Sequence, residues 1–556
     1  MASHAVIEKD LRIAGRVLAV LAALSLTCAV AMPGQQPVAD AGLLRWYLGA
    51  REIGRETFRR SAQLFETETQ VPMLNLRLRY RSEYDVQGRL VRFEARAFGL
   101  RPDSLVRTYT ATVQGDTLRI HQVGGHPADS SWTKVAHIEA ATPAQSLAAM
   151  LELAERSGGA ARSYAVWSPE SNDTLSFAVT PYGGDSLELR LGPFTMTARL
   201  GPGGRVDRLD IPMQRLRAER WSGAGDTLPP LEGAVRPPAD YSAPAGAPFT
   251  ARGVRVPVHP SAGDTFSLGC TLTLPKMGRA PYPVVLTITG SGLEDRDENL
   301  WPLVPGYRPF RQVAERVAAA GIATLRCDDR SFGASTGDAR HATTSDYAED
   351  ACAEVAWLQA RPEINHARIA LVGHSEGGVI APMVAVMHPS VAALVLMAGT
   401  AKNGVAVLKD QATWPIESAS GLSPERKAQL RAEAIAAVDN DSSASDWLRF
   451  FRQYDPLPTA RRVHQPTLIL QGALDRQVSA GQADTLGAAM RAGGNRDVTV
   501  RVFPGLSHLF VPSPTDGSPT EYASLTDVSV SRDVLDTMAN WLVQKLHPAT
   551  GRRPAR

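Results

Sequence analysis

Residues 367–389 read ARIALVGHSEGGVIAPMVAVMHP, and this stretch decides the fold. Arg368 to Val372 has the composition of a short buried strand. The residues from Gly377 onward are small and apolar, as in a helix packed on its neighbours. Between them Gly373, Ser375 and Gly377 are spaced G-x-S-x-G. A strand that reverses directly into a helix leaves the central serine in a strained backbone conformation. A Cβ two residues to either side would collide with the neighbouring strand or helix, hence the glycines. The turn presents the Ser375 hydroxyl at a helix N-terminus, where backbone N–H groups and the helix dipole favour developing negative charge.

The five-residue pattern alone is weak, because Gly333, Ser335 and Gly337 repeat it. There the strand IATLRC ends several residues earlier, DDRSF intervenes, and the next helix begins only near Ser345. Ser335 is therefore expected to be a structural loop residue.

Working outward from the elbow, the chain from about residue 249 alternates strand and helix. VVLTIT (284–289), IATLRC, RIALV, AALVLMAG, PTLILQG and VTVRVF read as strands. FRQVAERVAAAG, the segment from Asp346 to Ala360, and SRDVLDTMANWLVQKL read as helices. Such alternation implies a mostly parallel sheet covered on both faces, with ligands above the carboxyl ends of the strands. A charged helical segment at about 400–465, containing SPERKAQLRAEAIAAV and SDWLRFFRQYDP, interrupts it. It is expected to form a cap over Ser375 and shape the acyl pocket; the plainer alternative is a peripheral insertion.

Residues 40–225 have another rhythm. LNLRLRYRSEY, LVRFEARAF, SLVRTYTATV, TLRIHQV, TLSFAVT, SLELRLG, FTMTARLG and VDRLDIPM alternate with period two between turn pairs such as QG, GD and GG. That pattern predicts an antiparallel β-rich domain with one wet face. One amphipathic helix, Pro143 to Arg156, interrupts it. His121, His126 and His137 are scattered there and read as ordinary histidines. Residues 226–248, rich in Pro, Ala and Gly, read as an extended linker to the second domain, 249–548.

With 44% hydrophobic and 21% charged residues the chain can build a large core. A net charge of +2, from 59 basic and 57 acidic residues, gives no reason to expect nucleic acid as a partner. No zinc-ligand spacing, phosphate loop or dinucleotide fingerprint occurs, so no metal or cofactor is expected. Lys9, Arg12 and Arg16 precede the apolar run Val17 to Ala31, which ends in Ala29-Val30-Ala31. This reads as a signal peptide cleaved after Ala31, too short for a comfortable membrane span, and predicts a periplasmic or secreted protein. An uncleaved anchor is the alternative. Of the remaining cysteines, Cys270, Cys327 and Cys352, one pair could form a disulfide in an oxidising compartment.

A serine hydroxyl needs a base within reach, and the base needs a group that fixes its tautomer. On a sheet of this kind the acid and then the base follow the serine, in loops at the ends of later strands. LILQGALDRQV places Asp475 just after a strand, and VFPGLSHLF places His508 just after the next. His464 precedes a strand, His547 ends the last helix, and His374 should point away from the reacting face. Asp455, in the cap, is the fallback acid. For a tetrahedral intermediate, backbone donors are expected at Glu376 and at Ser291, between Gly290 and Gly292.

TGSGLEDRDE, CDDRSFGASTG, VGHSEGG, and the pair LILQGALDRQV with GLSHLF together resemble the α/β-hydrolase superfamily. Within it they are similar to bacterial EstD-type carboxylesterases, relatives of serine aminopeptidase-like hydrolases. The resemblance covers a little over half the chain and implies a Ser375, Asp475, His508 triad acting on short acyl esters. Thr289 departs from the histidine that many relatives carry before the glycine. Asp295, Arg296 and Asp297 are expected to pair charges and hold that loop. The expectation is thus an exported serine carboxylesterase acting on a small-molecule ester, with a capped α/β-hydrolase domain behind an antiparallel β domain. A peptidase would need a charged pocket, for which Glu294, Asp295 or Glu298 could serve. A non-catalytic envelope-binding protein would use the β domain instead.

Overall fold

The computed structural model describes residues 40–547 apart from 49–50, 72–75, 101–102, 125–129, 143–145, 170–172, 192–193, 212–215, 222–238, 262, 302–303, 419–422 and 441–444. The segment expected as a signal peptide, most of the segment expected as a linker, and His126 lie outside the described residues. Two compact units emerge: Met1–Val235 with Ala412–Asn440, and Arg236–Gln411 with Asp441–Arg556.

In the first unit, fifteen strands among the described residues form one sheet. Neighbours pair antiparallel except for the two-residue strand Ala140–Ala141, which runs parallel to Arg162–Ser168. The first strand, Asp40–Leu48, pairs with the last, Leu216–Arg220, and the chain meanders away from that seam on both sides. Alternation appears where expected, as in Leu76–Tyr84, whose odd-and-even burial separates Leu76, Leu78 and Tyr80 from the arginines between them. The helix Leu147–Arg156 is buried from Leu147 to Ala154 against this apolar face. Phe93 meets Trp167 edge-on at 5.4 Å in the same core.

The strand Arg51–Arg60 escapes a hydrophobicity reading because its inward positions include Glu56 and Arg60. Each has a partner inside. Glu56 accepts from Ser146 Oγ at 2.6 Å and from the Ala148 N–H at 3.0 Å, at the N-terminus of the buried helix. Arg60 pairs with Glu155 at 2.5 Å, and Glu155 also holds Arg220 at 2.7 Å. Burying charges is tolerable only with such partners. His121 and His137 are exposed, bonded to Ser131 and Asp116.

The second unit is an eight-stranded sheet: β1 (Phe249–Val258), β2 (Phe266–Pro275), β3 (Tyr282–Ile288), β4 (Ala323–Cys327), β5 (Ile364–His374), β6 (Ala393–Met397), β7 (Thr467–Gly472) and β8 (Val498–Phe503). Their order is β1-β2-β4-β3-β5-β6-β7-β8. β2 runs antiparallel to its neighbours β1 and β4, and the pairs from β4 to β8 are parallel. β4 and β6 are buried at every position, as strands covered on both faces must be. The covering helices are α1 (Pro309–Ala318), α2 (Thr344–Gln359), α3 (Gly377–Met387), α8 (Gly481–Ala492) and α9 (Arg532–Leu546). Two apolar clusters result, one around Leu325, Leu371 and Leu396, the other around Val372, Val395 and Trp541. Between β6 and β7 the segment expected as a cap forms α4 (Gly404–Ser418), α5 (Pro424–Asn440), α6 (Asp446–Gln453) and α7 (Pro456–Ala460).

Cys270 and Cys327 face each other across the β2–β4 pair and form a disulfide. Among the described residues Cys352 is the free cysteine, its thiol pushed up to about 12 by burial, which disfavours the thiolate. Among the described residues, one group of potential metal donors, Cys270, Cys327 and Glu354, lies close together, but both sulfurs are spent in that disulfide. No helix among the described residues is long and apolar enough to cross a membrane.

Candidate active site

β5 ends at His374 and α3 begins at Gly377, which leaves Ser375 and Glu376 to make the whole reversal. Ser375 sits at φ 54°, a left-handed conformation that a residue with a Cβ adopts at a cost of about 1–3 kcal/mol. Its N–H donates to Met397 O at 2.8 Å, tying the elbow to the end of β6. A Cβ on Gly373 would lie 2.0 Å from Gly377 O, and one on Gly377 would lie 2.1 Å from Ile288 O. Both glycines are therefore needed for the close crossing of β3, β5 and α3.

Asp475 follows β7 and His508 follows β8. The His508 Nδ1–H donates to Asp475 Oδ2 at 2.7 Å. Gln471 Nε2 reaches the same oxygen at 2.7 Å, while the N–H groups of Gln477 and Val478 donate to Oδ1, each at 2.8 Å. The carboxylate is 2% exposed and the imidazole 4%. A carboxylate at Nδ1 fixes the proton on that nitrogen, so in the neutral ring Nε2 is the basic atom. The Ser375 Oγ makes no hydrogen bond with a described residue.

The loop after β3 lies beside the elbow. A Cβ on Gly290 would stand 3.4 Å from Ser375 Cβ. The Gly290 N–H donates to Glu294 Oε2 at 3.1 Å. Ser291 makes no hydrogen bond with a described residue, and Gly292 sits at φ 127°. The loop is held from below as its charges suggest. Arg296 grips Asp328 through Nε at 2.9 Å and Nη2 at 2.6 Å, and Asp297 takes Arg308 and Arg326. Asp295 Oδ1 accepts from the N–H groups of Asp297 and Asn299. Thr289 Oγ1 donates to Asp329 at 2.9 Å. Glu294 is pushed well above the ordinary carboxylate range by burial, then by Glu298 and Asp329, which favours its neutral form.

The other expected residues fall elsewhere. Asp455 accepts from the Leu457 N–H as the cap of α7. Ser335 bridges Asp328 O and the Gly269 N–H, a purely structural pair of bonds. His464 is exposed and His547 closes α9.

Four hydrogen bonds between residues distant in sequence have no signal in the sequence. The Glu376 carboxylate accepts from Thr344 Oγ1 at 2.7 Å and from the Trp447 indole N–H at 2.8 Å, fastening α6 to the elbow. Trp447 in turn stacks on Phe451 at 5.3 Å. His374 is buried beside the serine and bonds Glu298 and the backbone of His508. Partners 32 to 134 residues apart leave no local pattern to read.

Residues 306–512 match the family described as Hydrolase_4, serine aminopeptidase, S33. Esterase EstD of Thermotoga maritima is 26% identical over 278 residues, covering 49% of this chain and 65% of the esterase, just under two thirds of its length. Among solved structures, an esterase of Pyrococcus furiosus aligns over 55% of this chain and 96% of its own at 15% identity, with a TM-score of 0.38. The ferulic-acid-bound Est1E of Butyrivibrio proteoclasticus covers 53% and 99% at 16% identity, with a TM-score of 0.36.

Proposed function

We propose, from the premise that the C-terminal half of this chain is an EstD-like α/β-hydrolase domain, that it cleaves carboxylic esters with short acyl chains through an acyl-enzyme on Ser375. Ser375 Oγ attacks the ester carbonyl as His508 Nε2 takes its proton, and Asp475 holds the ring in the tautomer this needs. The negative oxygen is received by the backbone N–H groups of Glu376 and Ser291. His508 then returns the proton to the departing alcohol. A water activated by the same nitrogen releases the acid. The observation that carries this reading is the buried Asp475–His508 pair, 2.7 Å apart, in loops at the same end of the sheet as the Ser375 elbow.

A peptidase would use the same atoms with a charged pocket for a peptide terminus. All three carboxylates available for that are occupied within the protein: Asp295 by loop N–H groups, Glu298 by His374 and Glu294 by the Gly290 N–H. This favours the ester. The test compares p-nitrophenyl butyrate with aminoacyl anilides: the ester should be turned over and the anilides not. Faster anilide cleavage would replace esterase with aminopeptidase.

Export is part of the proposal. It is supported by the basic and apolar N-terminal residues ending in Ala29-Val30-Ala31 and by the Cys270–Cys327 disulfide, a bond that persists in oxidising compartments. N-terminal sequencing of the protein from cell fractions checks it, with a start at Met32 in the periplasm or medium expected and an intact N-terminus in the cytoplasm contradicting it.

A further inference from the structure

A second chain of hydrogen bonds lies beside the Asp475–His508 pair. His374 Nε2 is 3.0 Å from the backbone carbonyl of His508, and its Nδ1 is bonded to Glu298 Oε1. Both side chains are sealed off, His374 at 3% and Glu298 at 2% exposure. A carbonyl oxygen only accepts, so Nε2 must carry a proton. Glu298 meets the other nitrogen either as a carboxylate accepting a proton or as an acid donating one, and in both cases the Nε2–H stays on His508.

The three residues come from three separate segments of the domain. Glu298 belongs to the loop after β3 and has a left-handed backbone, φ 56°. His374 ends β5, one residue before Ser375. His508 follows β8, and its ring lies 4.9 Å from that of His374. The next carbonyl of that loop, Leu509 O, is held at 3.0 Å by the Tyr307 hydroxyl. Two successive carbonyls around the base are thus pinned by side chains rather than by a sheet ladder. A Cβ on Gly290 would stand 3.5 Å from Glu298 Oε1, so the same carboxyl also lies close to the loop beside Ser375.

We infer that His374 and Glu298 form a positioning pair that sets the His508 ring relative to Ser375, which no sheet hydrogen bond does. This rests on the esterase reading above. The charged and titratable groups facing the pair are Asp475 and His508 on one side and Glu294 and Tyr307 on the other. Burial pulls the His374 imidazole down, but the Glu298 charge and hydrogen bond, with the His508 carbonyl, outweigh it and leave it raised.

The experiment uses the full chain with His374→Leu and His374→Gln, folding being checked by circular dichroism. Gln places an N–H near the former Nε2. The Leu variant should lose on the order of 100-fold in kcat, the scale of a base displaced by about 1 Å, with KM changed by no more than about twofold. The Gln variant should recover to within about tenfold of wild type. A second readout does not need turnover: the low-field NMR proton of His508 Nδ1–H should shift or broaden in Leu and hold its position in Gln. Folded His374→Leu with wild-type kcat and an unmoved signal overturns the inference, as does a Gln variant as impaired as Leu. If Leu does not fold, Gln decides alone, and loss of both kcat and the signal counts against the pair. A wild-type protein inert toward esters would sink the esterase reading, while the NMR comparison would still decide the positioning.

Discussion

The Asp475 carboxylate receives four hydrogen bonds, and only one of them comes from His508. The other three hold it in place whatever the imidazole does. Replacing it with Asn keeps the shape but allows the amide to donate to Nδ1, which moves the ring proton to Nε2. Asp475→Asn should therefore lower kcat by about 10⁴-fold with little change in fold, the scale expected when a catalytic imidazole has the wrong tautomer. Steady-state kinetics beside a circular dichroism spectrum checks this; unchanged kinetics would remove Asp475 from the proton path. Trp447→Phe tests a smaller contact. It removes one donor from the buried Glu376 carboxylate, and about 1–3 kcal/mol of stability should go with it, read as a lower urea midpoint. At this scale the positions of Ser375, Asp475 and His508 were legible because each stands at a strand end in a fixed order. Glu298 and Trp447 were not, since what matters about them is a partner far away in sequence.

Among elements, the elbow is the most constrained. Gly377→Ala would put a Cβ 2.1 Å from Ile288 O and 2.6 Å from Thr289 O, backbone atoms that lead directly into the Gly290 loop. Overpacking of this kind costs about 1–3 kcal/mol, and here it also displaces the loop beside Ser375. Both the urea midpoint and turnover should fall; a variant with wild-type values of each would contradict the close crossing. The sheet of the first unit shows the opposite case, where pattern fails. Arg51–Arg60 points Glu56 and Arg60 inward beside Phe58, so its core side is partly charged and the period-two signal is lost. That burial has a measurable consequence. The Glu56 carboxyl is pushed up to about 7 by burial, from an ordinary 4.5, against the hydrogen bonds from Ser146 and Ala148. The folded state then holds a proton that the unfolded state releases. Its favourable contribution is complete below pH 4.5 and is lost as pH rises to about 7, by up to about 3 kcal/mol. Urea midpoints of the first unit's fluorescence, measured between these pH values, should fall with pH in wild type and fall less in Glu56→Gln.

For the whole molecule, composition and rhythm were enough to separate an antiparallel β-rich region from an α/β domain. Length and punctuation carried that distinction, because strands alternating with helices and strands following strands differ over scores of residues. The pairing of cysteines was not available from spacing. It depends on β2 lying beside β4, which places Cys270 opposite Cys327 across 57 residues of sequence. A crosslink closing a loop of that length restricts the unfolded chain by about 4 kcal/mol in the chain-entropy account. Cys270→Ser with Cys327→Ser should lose stability of up to that order, and reductant should destabilise wild type and not the double variant. The proposed mechanism requires Ser375 to be an activated nucleophile served by His508. Fluorophosphonate labelling of the full chain, with the modified peptide identified by mass spectrometry, tests this without presuming a substrate. The label is expected on the peptide containing Ser375 and is expected to vanish in His508→Ala; folded wild-type protein left unlabelled, or labelled on another residue, would contradict it.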